Sequence, residues 1–184
     1  TAYCRLQDPA FDIGRAEQSL WLRAGIKLVA LGFHLLTAAS IFFVVRRMAS
    51  PMWAAAASGL YVLNPAALYD VAHWAQPDGA HALFSVLGIG LLGLGQVVAP
   101  WAAMAAAALA KPQAWSILPL FAIATLGAHG LTGLARGIVS GGLVGLLMTL
   151  PFIVTGHLAE LLSLPGTISS VMPVVSADAH NLWW

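Results

Sequence analysis

Between Asn64 and Asp78 the chain reads NPAALYDVAHWAQPD, which sets Asp70, His73, Gln76 and Asp78 between two long runs without a charged side chain, Met52 to Leu63 and Ala82 to Ala110. A charged group at hydrocarbon depth costs roughly 3 kcal/mol or more, so such a cluster reads either as a functional site or as the wet loop joining two spans. A second constellation, Lys111-Pro112-Gln113, interrupts an otherwise apolar stretch. A third closes the chain: Asp178, His180 and Asn181 before Trp183-Trp184.

The chemistry open to these groups follows from their types. Lys111 is a cation suited to a phosphate on which negative charge develops; its alternative is to snorkel its ammonium to the interface. His73 and His180 can donate to phosphate or sugar hydroxyls, or be solvated loop histidines. Gln76, Gln113 and Asn181 carry amides that match sugar hydroxyls and serve equally as caps or loop anchors. Asp78 can act as an acid or base or pair with Lys111, and Asp70 can equally pair with a basic partner or take part in catalysis. His73 and His81 have no companion at metal-ligand spacing, and the single cysteine, Cys4, excludes an internal disulfide, so no metal or cofactor is expected.

Hydrophobic residues make up 60% of the 184 residues and charged residues 8%, with a mean hydropathy of +0.85. A soluble domain with a polar surface cannot have this composition, which implies an integral membrane protein. The net charge of +1 carries no basic stripe and excludes a nucleic-acid footprint. The opening at Thr1 and the close at Trp184 read as a piece of a longer chain.

A helix needs about 20 apolar residues to cross a ~30 Å hydrocarbon layer. On that ruler, spans are expected near Ala24–Val45, Met52–Tyr69, Ala80–Val98 and Gly137–Thr155. Pro112 disfavours helix at Lys111, so Ala99–Ala128 is expected to fold as two short helices meeting at a polar, half-depth turn. Arg46-Arg47 and Arg136 then share the cytoplasmic side, and the seven acidic residues, Asp8, Asp12, Glu17, Asp70, Asp78, Glu160 and Asp178, share the other. Gly137, Gly141 and Gly145 recur at four-residue spacing, which predicts close helix packing within the chain. HLAELLSL, from His157, predicts a short amphipathic helix ended by Pro165-Gly166. Trp74, Trp115, Trp183 and Trp184 fit an interfacial aromatic belt.

The order LNPAALYDVAHWAQPDG, ALAKPQAWSILPL and ADAHNLWW resembles the GT-C class of membrane glycosyltransferases that use a lipid-phosphate sugar donor. The likeness is to dolichyl-phosphate-glucose-dependent glucosyltransferases and their bacterial relatives. The opening TAY resembles the end of that family's Tyr-Pro-Pro-Leu-Thr-Ala-Tyr run, and Arg23 to Lys27 its basic approach to the next helix. Gln76 keeps the family's glutamine while Ala75 departs from its pattern; Asn181 and Trp183 match an Asn-aromatic-Trp signature, and Asp178 has no counterpart.

The resemblance implies an all-α, polytopic, GT-C-like transmembrane bundle, with an outer-face segment at 1–23, membrane helices at 24–155 and an outer-face loop at 156–184. It further implies inverting transfer of a hexose from a polyprenyl- or dolichyl-phosphate carrier to a lipid-linked or other acceptor on the non-cytoplasmic face. Donor contacts fall to Lys111, Gln113, His73, Gln76, Asp78, His180 and Asn181. The general base is expected upstream of Thr1, with Asp78 as its substitute within the sequence. Bacterial plasma membrane is preferred over endoplasmic reticulum because the loops are short and alanine-rich. The rival expectations are a secondary transporter or channel and a non-catalytic membrane scaffold.

Overall fold

The fold was read from a computed structural model that describes residues 19–74 and 78–171. Those residues are all-helical, with no strand among them. Helix α1 is Leu20–Met48, α2 Pro51–Val62, α3 Pro65–Tyr69, α4 Asp78–Gly93, α5 Val98–Ala110, α6 Leu118–Val154 and α7 Leu158–Val171. A π-helical turn at Asp70–Trp74 follows α3, and a 3₁₀ turn at Pro112–Ser116 follows α5. Two compact units divide between Gly145 and Leu146.

Local chemistry sets the breaks. Ser19 and Ser50 accept hydrogen bonds from Leu22 N and Trp53 N and so cap α1 and α2. Pro51 and Pro65 occupy first helical turns, where the missing N–H leaves nothing unpaired. The expected Met52–Tyr69 span is accordingly cut: α2 ends at Val62, and Asn64 accepts from Ala66 N (2.9 Å) and Ala67 N (3.4 Å) to start a new helix. The expected Ala80–Val98 span also stops early, at Gly93, because Gly95 takes φ +79° and turns the chain.

Contacts within the first unit give the helix directions. Ser58 Oγ donates to Ala38 O at 2.8 Å and His34 stacks on Tyr61, so α1 and α2 are antiparallel. Gly79 meets Phe33 and His34, and Gly90 meets Val44, so α1 and α4 run parallel. Trp115 Nε1 donates to Ala108 O (2.9 Å), and Trp101 Nε1 to Thr125 Oγ1 (3.1 Å), which makes α5 and the start of α6 an antiparallel hairpin.

Helix α6 is two limbs, because Gly130 leaves helical geometry at φ 65°, ψ −171°. Trp101 touches both Thr125 and the Cα side of Gly137. Along an unbroken helix those residues would stand about 18 Å apart, so the chain reverses at Gly130. Beyond the reversal, Gly133 lies by Val97 and Gly141 by Ala105. The second limb therefore runs parallel to α5. Gly137 and Gly141 pack within the chain as their spacing predicts; a Cβ at Gly145 would meet no other part of the chain within 4 Å beyond its own helix backbone and sequence neighbours. In the second unit, α7 continues through Pro165-Gly166 to Val171, correcting the expected stop: an internal proline forfeits one hydrogen bond without having to end the helix.

Leu20–Met48 and Leu118–Val154 are long and apolar enough to cross a membrane.

Candidate functional site

The helix directions sort the first unit into two ends. Arg46, Arg47, Gly95 and Gly130 mark one; Asn64, Asp70, the start of α4 at Asp78 and the Lys111 turn mark the other. At the second end, the π-helical turn beginning at Asp70 widens the backbone by one residue per turn, a distortion frequent where a side chain must be re-aimed. Asp70 and Val71 thereby line a cavity of about 180 Å³ with His34, Tyr61, Ala67, Gly79 and Ala82.

His34 is the centre of this cavity's wall. It is 3% exposed, stacks on Tyr61 with ring centroids 4.9 Å apart, and its Nε2 has no hydrogen-bond partner. The fully buried Thr37, one turn on, donates to Phe33 O at 2.8 Å with Gly79 O at 3.4 Å. A Cβ on Gly79 would sit 2.8 Å from Phe33 Cβ. Only glycine lets α4 begin this close to α1. On α4, the buried His81 Nδ1 and Ser85 Oγ, one turn apart, also have no partner. A fourth, His129 Nε2, lies beside Gly130 at the opposite end; buried polar atoms are nearly always paired, and of these four only His34 lines the cavity, which makes its ring the candidate contact for water or ligand there.

The site lies deep along α1. His34 and Arg46 stand about 18 Å apart at ~1.5 Å per residue, and α1 continues from His34 the other way to Leu20. Flanking α1 residues are exposed and apolar, including Leu28, Val29, Leu35 and Leu36.

The expected donor residues fall as follows. Lys111 takes an extended conformation, φ −151° and ψ 134°, between α5 and the 3₁₀ turn, which breaks the helix at Pro112. It is half-buried and engaged in an interaction of its own. Gln113 is exposed, and its carbonyl accepts from Ser116 Oγ at 2.7 Å. The turn is anchored by buried Ala114, packed with Met104, Ala107 and Phe121. His73 lies on the π-helical turn and Asp78 opens α4, but their side chains, and all of Gln76, His180 and Asn181, lie outside the described residues. Trp183 and Trp184 lie outside them too; Trp115 is exposed.

Sequence reasoning missed His34 and Tyr61. A single histidine in an apolar helix has no local partner in sequence, and Tyr61 reads as another apolar residue of α2. The usable signal was His34 standing alone among uncharged residues between Lys27 and Arg46. Among the described residues no cluster of three metal-ligating side chains occurs. Compared with known proteins, the chain matches no family model, and no curated protein or solved structure matches it.

Proposed function

We propose that the chain is part of a multi-pass membrane glycosyltransferase that moves a hexose from a lipid phosphate to an acceptor on the non-cytoplasmic face. The observation that carries this reading is the depth of the polar cavity. His34 lies about 18 Å from Arg46 along α1, short of the ~30 Å hydrocarbon layer, and Tyr61 and Asp70 line the same cavity. Ionisable groups at that depth are expensive and are kept for function. The exposed apolar side chains along α1 and α6, among them Leu28, Val29, Leu35, Leu36, Ile138 and Leu147, support a bilayer around them.

A lipid-phosphate sugar needs apolar walls for its tail, a cation for its phosphate and hydrogen-bonding groups for its sugar. The exposed apolar faces, Lys111, and the cavity of His34, Tyr61 and Asp70 supply these classes of contact, and Lys111 and the cavity share one end of the unit. Transfer with inversion forms a bond from an acceptor oxygen to the anomeric carbon while the carbon–phosphate oxygen bond breaks. Lys111 stabilises the charge on the departing phosphate, and a carboxylate takes the acceptor proton. The resemblance of the three motifs to GT-C enzymes supports the choice of sugar transfer.

The depth of the same cavity also suits a solute or ion pathway, so transport is the second reading. The test uses the natural protein reconstituted in vesicles with a radiolabelled polyprenyl-phosphate hexose. Sugar transfer that falls at least tenfold in Lys111→Met, with normal protein yield, is expected. Solute flux without transfer overturns the enzyme reading in favour of transport.

A further inference from the structure

We infer that a groove at the Arg46 end of the first unit binds an anionic phospholipid, with the phosphate on Arg136 and an acyl chain along Val139, Leu143 and Val144. The groove is shallow and open along one side, with a volume of about 550 Å³ between Val98 of α5 and the second limb of α6. Its lining is aliphatic except for Arg136 and Ser140, and Ser140 is already used, donating to Val98 O at 2.8 Å and tying the two walls together. On the second limb of α6, Ala135 and Arg136 open the lining, and Val139, Leu143 and Val144 follow along the same helical face to about 12 Å beyond Arg136. One end of the groove is thus cationic and the rest apolar, the pattern of a phospholipid read from headgroup to tail.

Arg136 is exposed, and it makes no hydrogen bond or ion pair among the described residues. Arg47, by contrast, lies over the ring of Phe43 at 4.9 Å, held on its own helix. Covering the groove with an apolar protein face would bury the Arg136 charge without a partner, which is strongly unfavourable. A phosphate neutralises it and matches the guanidinium fork with two parallel hydrogen bonds. Arg46, Arg47 and Arg136 share this end, and clustered basic residues face the leaflet richest in anionic lipid. The site is remote from the His34 cavity and rests on the bilayer reading, without depending on sugar transfer.

The experiment measures binding of dioleoyl-phosphatidylglycerol and dioleoyl-phosphatidylcholine to the full chain in neutral detergent by native mass spectrometry, with glycerol 1-phosphate as the free-phosphate arm. The anionic lipid is expected to bind about fivefold or more tightly than the zwitterionic one, and glycerol 1-phosphate not to compete. Arg136→Gln should abolish the preference, Arg136→Lys should keep part of it, and Arg47→Gln should leave it intact. Leu143→Trp, which fills the groove and spares the charge, should weaken binding of both lipids. Equal affinity for the two lipids, an unchanged preference in Arg136→Gln, an equal loss in Arg47→Gln, or a dimer that excludes lipid from the groove overturns the inference. Release of the chain from membranes by alkaline carbonate instead overturns the bilayer reading and this site with it.

Discussion

Trp101 reaches from α5 to hydrogen-bond Thr125 on the first limb of α6, Nε1 to Oγ1 at 3.1 Å. Thr125 is fully buried and passes its own hydroxyl hydrogen to Phe121 O at 2.8 Å. The Trp101 ring also meets the edge of Phe121, with centroids 5.4 Å apart, and fills the space left by the missing side chain of Gly137. One indole thus holds both limbs of α6 against α5.

Gly137→Ala should therefore destabilise the fold by about 1–3 kcal/mol, because its methyl would overlap the indole. Gly142→Ala, which meets nothing within 4 Å, should be neutral or gain up to ~1 kcal/mol from helix propensity. Thermal unfolding of both variants in detergent measures the difference. Equal midpoints would show that Trp101 yields freely.

Trp101→Phe keeps most of the ring and removes the N–H, so it should cost about 1 kcal/mol, the net worth of one hydrogen bond. Trp101→Ala loses the packing as well and should cost about 3–5 kcal/mol. Chemical denaturation of the two variants checks the gap between them. A Phe variant as unstable as the Ala variant would assign the role to the hydrogen bond instead.

At His34 stability and function should part. Replacing a buried unpaired ring nitrogen by carbon removes a desolvation cost, so His34→Phe should keep the stack on Tyr61 and gain about 1 kcal/mol. Sugar transfer, measured on the same preparation, should fall at least tenfold. A stabilised variant with full transfer would leave the cavity without a role in the reaction; such a trade between stability and activity is common at functional sites.

The two ends can be told apart by labelling. In a Cys4→Ser background, cysteines at Ala49 and Ala135 should react with a membrane-impermeant maleimide from the same side, and a cysteine at Gln113 from the opposite side. Opposite accessibility of Ala49 and Ala135, or labelling of Gln113 from the same side as Ala49, would contradict the sorting of the unit into these two ends.

Some of this was legible one residue at a time. Pro112 announces the break at Lys111 because a proline ring cannot follow a helical residue comfortably. The spacing of Gly137 and Gly141 announces a smooth helix face, and that face meets α5. Spans at Met52–Tyr69 and Ala80–Val98 were misjudged in length because hydropathy does not register Asn64-Pro65 or the left-handed Gly95 as stops. Gly130 escaped for the same reason: glycine in an apolar run reads as packing, and its positive φ is a property of the folded backbone.

The sequence by itself determined the apolar character of the helices, the break at Lys111-Pro112, and the concentration of ionisable groups around Asp70 and Lys111. These depend on side-chain type and on neighbours within a turn, so no distant partner is needed to read them. Only the tertiary structure decided that α6 doubles back, that Trp101 is the hub of three helical limbs, and that His34 and Tyr61 join Asp70 in one cavity. Those facts depend on which helix faces meet, and contacts between residues far apart in the chain leave no periodic trace in either segment alone.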